Sequence, residues 1–372
     1  MKHIKRLACT VLAVALCGAV LLTGCSAPRL TIGGTAQTAA TIGDTTLSTG
    51  EYLAYLYNTF YNMYYSQGLY QYAQYGYDVW GQEYTYGEGD EAEKMAFDEY
   101  LKRTAQDSAV RQVALRQLMD QYKISWNADE LKELEENLAN VQADSYLSLG
   151  ISKDNFVKVT KELSLNETGL FYGLYGEGGQ REMSEADRKA YFDENYLSYK
   201  MISVALTDSK GAELDAAGKK KITDELAGYL AQYNKSGNFE AVVDAYNKAK
   251  AGEDDEKPEA SKDEDNRKNI DGKTATDEDL VKAIRSVDVG KAKVVTYKAG
   301  GTTETAALIL RLDIHTPESL FTDETKNIIR GAKYDEFDKE VKETVKGLTV
   351  KFNKSVVKQC NPQNFLSDAS SN

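Results

Sequence analysis

The chain has 372 residues, 42% of them hydrophobic, which is enough to bury a core in about two domains. Its formal net charge is -13, and a chain this acidic lacks the basic face that general nucleic-acid binding needs. Tyrosine is over-represented, with 25 Tyr against 10 Phe.

The first residues form an address. Lys2, Lys5 and Arg6 make a positive start, and an apolar run follows from Leu7 to Leu22. The run is short for a membrane span, which takes roughly 20 residues, and reads as a signal peptide over 1–24. Leu22-Thr23-Gly24-Cys25 then resembles the lipobox of bacterial lipoproteins. The resemblance implies diacylation of Cys25 and a polar tether over 25–36. Two acyl chains anchor a protein stably at the extracytoplasmic face of the cell membrane, where one chain is marginal. Cleavage removes Lys2, Lys5 and Arg6 and no acid, which takes the formal charge from -13 to -16.

The other cysteines and histidines exclude several chemistries. Of 4 Cys, Cys9 and Cys17 leave with the signal peptide and Cys25 carries lipid, so Cys360 has no partner for an intramolecular disulfide. Of 2 His only His315 stays, and no zinc-type cluster is spelled out. No metal and no cofactor is expected.

The folded part opens with two short strands, Ala39 to Ile42 and Thr45 to Leu47, around a Gly43-Asp44 turn. Ser48 and Glu51 have the spacing of a capping box, which starts a helix. Leu53, Tyr57, Phe60, Tyr61 and Tyr64 recur at helical spacing, so these tyrosines belong to a buried stripe. Beyond Gly68 the period fails. Tyr70, Tyr72, Tyr75, Tyr77 and Trp80 sit in an irregular excursion broken by Gly76, Gly81, Gly87 and Gly89, and are candidate client-binding residues. Tyrosine suits such contacts because it offers a broad apolar face and a polar edge at low rotamer cost.

A helix is expected over about 92–122, another after the Asn127 cap, two more over "SKDNFVKVTKELSL" and "NETGLFYGLY", and one after the Ser184 cap. The composition then shifts. Tyr199 to Leu206 reads as a strand, followed by two helices. The stretch at about 250–275 is charged, poor in apolar residues and expected to be disordered. A short helix follows, then a hairpin turning at Gly300-Gly301, a long helix and a terminal strand "TVKFN". The last residues, 356–372, read as a flexible tail.

This order resembles the extracytoplasmic foldases of the SurA/PrsA type. The stretches that carry the resemblance are "ATIGDTTLSTGEYLAYLYNTFY", "SEADRKAYFDENYLSYKMISVAL", "ETAALILRLDIHTPESL" and "FDKEVKETVKGLTVKFN". It implies an α+β fold: a mostly helical chaperone domain from both chain ends, 37–196 and 317–355, with a parvulin-like (PpiC-type) prolyl isomerase domain inserted over 197–316. The family's two sheet histidines would fall near Met201 and Leu308, and neither is a histidine, so the proline pocket is expected to be degenerate. His315 lies beyond the last strand and reads as a surface residue. The implied function is a chaperone that binds unfolded or nascent exported proteins without isomerase catalysis. An active prolyl isomerase and an envelope adaptor with one fixed partner remain as alternatives.

The anchor has a direct test. Cys25→Ser is expected to leave the chain unacylated, and either unprocessed or released from the membrane fraction; recovery of the variant with lipid attached contradicts the lipobox reading.

Overall fold

The computed structural model describes residues 37–87, 89, 92–251 and 260–366. Cys25 and the segments 1–24 and 25–36 lie outside the described residues. The described residues are α+β and divide into two compact units, the first drawn from within 1–181 and 335–372, the second from within 182–334.

The first unit begins with β1 (Thr38–Ile42) and β2 (Thr45–Ser48), paired antiparallel around Gly43 at a φ of +55°. α1 (Thr49–Tyr61) starts on the capping box: the Ser48 hydroxyl accepts from the Glu51 amide at 3.2 Å, and the Ser48 amide donates to the Glu51 carboxylate at 2.7 Å. After a π-helical turn (Asn62–Ser66), α2 (Leu69–Gln74) follows, then a hairpin of β3 (Glu83–Tyr86) and β4 (Glu93–Ala96). α3 (Phe97–Tyr122), α4 (Ala128–Ala139), α5 (Asp144–Leu147) and α6 (Lys153–Tyr175) complete this half. α6 runs unbroken where two helices were expected.

The second unit holds α7 (Glu185–Asn195), β5 (Tyr196–Ala205), α8 (Ala216–Ser236), α9 (Phe239–Lys250), α10 (Asp263–Asn266), β6 (Lys268–Asp271), α11 (Glu278–Arg285), β7 (Ala292–Ala299), β8 (Thr303–Leu312) and α12 (Ser319–Asp323). Its sheet is antiparallel throughout, in the order β6-β5-β8-β7. The β7–β8 hairpin turns at Gly300 and Gly301, whose φ angles of +58° and +73° suit glycine. Helices cover both faces. Ile202, Leu308 and Leu310 pack with Leu226, Tyr229, Phe239 and Val242 of α8 and α9, while Tyr199, Ala307 and Ile309 pack with Val281 and Ile284 of α11.

α13 (Thr325–Gly347) belongs to the second unit up to Tyr334 and to the first from Asp335. β9 (Val350–Phe352) then pairs antiparallel with β1, Ile42 opposite Val350 and Ala40 opposite Phe352. The core of the first unit gathers Ile42, Tyr52, Leu56, Phe60, Phe97, Leu101, Val113 and Phe156. Phe337 of α13 meets Phe171 of α6 edge-on at 5.3 Å. Arg111 of α3 bonds Glu167 of α6 and Asp338 of α13, each at 2.9 Å.

Further expectations need correction. The unit boundaries fall near 182 and 334 rather than 196 and 317, so α7 and the start of α13 join the second unit. There Phe192, Tyr196, Leu320 and Ile328 form one buried cluster. The irregular excursion is built of regular pieces, because Met95, Tyr84 and Tyr86 alternate along a hairpin that leans on Phe97 and Tyr100. The second half of the stretch about 250–275 is ordered, since α10 and β6 occupy it. Charge does this: buried Lys200 of β5 pairs with Glu240 and Asp263, and Arg267 reaches the Ser198 hydroxyl at 3.1 Å and the Thr316 carbonyl at 2.8 Å. A buried cation needs such partners, so the acidic run is recruited to it.

The tail is likewise fixed as far as 366. Asn353 caps α14 (Lys354–Gln359), a 3₁₀ turn (Pro362–Leu366) follows, and Val356 and Cys360 are fully buried in the core. Burial pushes the Cys360 thiol up to about 11 from 9.0. The native chain is therefore expected to leave Cys360 unlabelled by iodoacetamide at pH 8, with labelling read by peptide mass spectrometry and appearing only on unfolding. A folded-state value above the unfolded one favours the protonated form in the native state. This contribution to stability is complete below about pH 9 and is lost as pH rises to about 11, which urea titrations across that window will read. Rapid native labelling contradicts the ordered tail.

Candidate functional site

The tyrosine-rich segment rises from the C-terminal end of α1. Phe60 and Tyr64 stack at 5.1 Å, Phe60 and Trp80 at 6.2 Å, and Trp80 meets Phe97 at 5.0 Å. Phe365, from the 3₁₀ turn near the chain's end, packs on Tyr57 and Phe60, each at 5.4 Å. Aromatic pairs at these separations add to the energy of plain burial. The result is a rigid aromatic base. Burial pushes the Tyr57 hydroxyl up to about 12 and raises those of Tyr64 and Tyr65, so the base carries no charge at neutral pH.

The chain above this base turns at glycines. Gly68 adopts a φ of +78° ahead of α2, and Gly76 a φ of +84° after it, positions that a residue with a Cβ fills only at a cost. Asp78 closes the segment, its Oδ1 accepting from the amides of Trp80 at 3.2 Å and Gly81 at 2.9 Å.

Between these turns the five candidates separate. Tyr72, Tyr75 and Tyr77 are 56%, 83% and 59% exposed, and Tyr72 meets Tyr77 edge-to-face at 6.1 Å. Tyr70 and Trp80 are half-buried and pack against the core. Tyr70 lies 5.8 Å from Tyr65, which is itself 38% exposed. Sequence periodicity does not mark Tyr65, because the helical stripe ends at Tyr64 and Tyr65 lies in the π-helical turn. Of the tyrosines assigned to the buried stripe, Tyr64 is buried, while Tyr57 and Tyr61 are half-buried.

In the second unit the positions expected near a degenerate proline pocket, Met201 and Leu308, fall on different faces of the sheet. Leu308 stands opposite Ile202, and Met201 opposite Ile309. Successive residues of a strand point to opposite faces, so Leu308 packs under α8 and α9 while Met201 packs on the α11 side. The two residues are separated by the sheet and share no slot. His315 is exposed beyond β8, its Nε2 3.5 Å from Asp193.

Among the described residues, no group of His, Cys, Asp and Glu is arranged to hold a metal ion, and no helix is long and apolar enough to cross a membrane.

No protein-family model matches the chain, and no curated protein does. Among solved structures, the foldase protein PrsA of Streptococcus pneumoniae is similar at 13% identity, with a TM-score of 0.33 over 77% of this chain and 99% of that one. PrsA of Bacillus subtilis is similar at 13% identity, with a TM-score of 0.21 over 78% of this chain and 94% of that one. Scores this low carry no conclusion about the present chain.

The division of the tyrosine segment into base and surface has a stability signature. Replacing Tyr72, Tyr75 and Tyr77 together by Ala is expected to change unfolding stability by less than about 1 kcal/mol. Trp80→Ala alone is expected to cost on the order of 2–4 kcal/mol, because it opens the stack between Phe60 and Phe97. Urea unfolding of both variants checks this, and equal losses contradict the division.

Proposed function

We propose that the chain is a membrane-anchored extracytoplasmic chaperone that holds unfolded exported polypeptides without catalysing prolyl isomerisation. One observation carries the reading: three tyrosines stand 56–83% exposed on a surface whose aromatic base is fully engaged in packing. Large exposed aromatics grouped together are uncommon on a surface with no partner, and they offer sequence-tolerant contacts to extended chains. Holding many clients calls for such contacts rather than for one deep, shaped pocket.

Two further observations agree with it. The lipobox-like Leu22-Thr23-Gly24-Cys25 would keep the first unit on a tether of 12 residues, no longer than about 40 Å when extended. The separation of Met201 and Leu308 by the sheet supports the absence of isomerase chemistry. Speeding rotation about an amide with a barrier of roughly 18–20 kcal/mol requires groups that favour the twisted state, and those must converge on one side of a proline.

The test is suppression of aggregation. The mature chain is expected to suppress light scattering when a chemically unfolded protein is diluted from denaturant. The Tyr72, Tyr75 and Tyr77 triple alanine variant is expected to need about tenfold more protein for the same effect. Undiminished suppression by that variant would remove the tyrosines from the reading. Proline-limited refolding is expected to proceed at its uncatalysed rate with either protein.

A further inference from the structure

The exposed tyrosines sit in an unusual electrostatic setting. From Gln37 to Gly87 the described chain carries four carboxylates, Asp44, Glu51, Asp78 and Glu83, and no Lys, Arg or His. The first bases that follow are already occupied: Lys94 lies 3.7 Å from Glu83, Lys102 3.0 Å from Asp98, and Arg103 2.8 Å from Glu93. Asp78 follows Tyr77 directly and is exposed, and no ion pair reaches it among the described residues. Glu51 is buried and paired with Lys158, and Glu83 pairs with Lys94, so the exposed carboxylate beside the displayed tyrosines is Asp78.

A tyrosine face attracts cations through its ring quadrupole, and more strongly where a carboxylate stands nearby. This chain uses that contact repeatedly. Arg103 lies 5.3 Å from the centre of the Tyr86 ring, Arg181 5.0 Å from Tyr122, Lys250 5.5 Å from Tyr246 and Arg330 4.4 Å from Tyr334. Tyr72, Tyr75 and Tyr77 are exposed and have no such cation among the described residues. Tyr72 meets Tyr77 edge-to-face, and both residues remain more than half exposed.

We infer that the tyrosine surface selects extended polypeptide segments rich in Lys and Arg, whose side chains lie across Tyr72, Tyr75 and Tyr77 with Asp78 as counter-charge. The inference rests on the client-holding reading and names the class of client. Charge complementarity picks this occupant over the alternatives. A second copy of this acidic chain would bring like charge to the same surface, and an anionic lipid surface would do the same. A neutral apolar segment would use the rings but would leave the charge setting without effect.

Three unstructured 14-residue peptides of alternating composition test it against the full mature chain: Arg with Ser, Glu with Ser, and Leu with Ser. Binding is read by fluorescence anisotropy at low and at raised salt. The Arg peptide is expected to bind at least about tenfold more tightly than either other peptide, and to weaken as salt is raised. Replacing Tyr72, Tyr75 and Tyr77 by Leu keeps apolar area but removes the ring faces. That variant is expected to lose about fivefold or more of the affinity for the Arg peptide. If the Leu peptide binds as tightly as the Arg peptide and depends on the tyrosines, the selectivity is overturned while the client-holding reading stands. Arg-peptide binding indifferent to the tyrosines reduces the effect to general acidity and overturns the inference. If no peptide depends on the tyrosines, both the inference and the reading beneath it fall.

Discussion

The pairing of β1 with β9 is the constraint on which the first unit depends. It joins Ile42 to Val350 and Ala40 to Phe352, across some three hundred residues of chain. Closing a flexible loop of that length costs about 5 kcal/mol in chain entropy, and three residue pairs cannot offset it alone. A second unit with its own core shortens the effective loop. Side-chain contacts supply the rest: Arg111 holds Asp338 at 2.9 Å, Arg181 holds Glu340 at 2.6 Å, and the Tyr175 hydroxyl donates to Glu336 at 3.2 Å. The Asn353 amide also donates to the Ala39 carbonyl at 2.8 Å, so the ladder extends past β9 itself.

The tyrosine surface inherits this closure. α1 is fixed at its start by the Ser48–Glu51 box and along its length by α3 and α6, where the Tyr55 hydroxyl donates to buried Glu162 at 2.6 Å and Arg116 neutralises the same carboxylate. The far end of α1 is covered by Phe365, which arrives only because the chain has returned through β9 and α14. Residues at the two extremes of the described chain thus build one aromatic base. The exposed tyrosines need that base, because a ring displayed on a mobile loop loses more conformational freedom on contact than one held in place.

Much of this was legible in the sequence, where a local rule decides the structure. The capping box, the Asn127 and Ser184 caps and the Gly300-Gly301 turn are short-range chemistry, and each forms as read. The terminal strand was legible as a strand, and it pairs with β1. Register was not legible. A shift of one residue between β5 and β8 decides whether Met201 and Leu308 share a face, and a period of two in a strand buried on both sides gives no apolar alternation to fix it. The order in α10 and β6 was hidden for another reason. Their stabilisation comes from buried Lys200, distant in sequence, so low apolar content was a poor guide. In the tyrosine segment, composition pointed to the right stretch. It could not separate Tyr70 and Trp80, which support, from Tyr72, Tyr75 and Tyr77, which are displayed, because that depends on the π-helical turn and on Phe365.

Hydrogen–deuterium exchange of the mature chain, with and without a permanently unfolded client, tests most directly whether the displayed tyrosines are where such a chain is held. Backbone amides that are solvent-exposed in the free protein exchange readily and slow down when a partner covers them. Slowed exchange over the peptide spanning Leu69 to Trp80, with the β5–β8 sheet unchanged, is the result predicted. Slowing confined to the second unit, with residues 69–80 unaffected, would contradict the central claim.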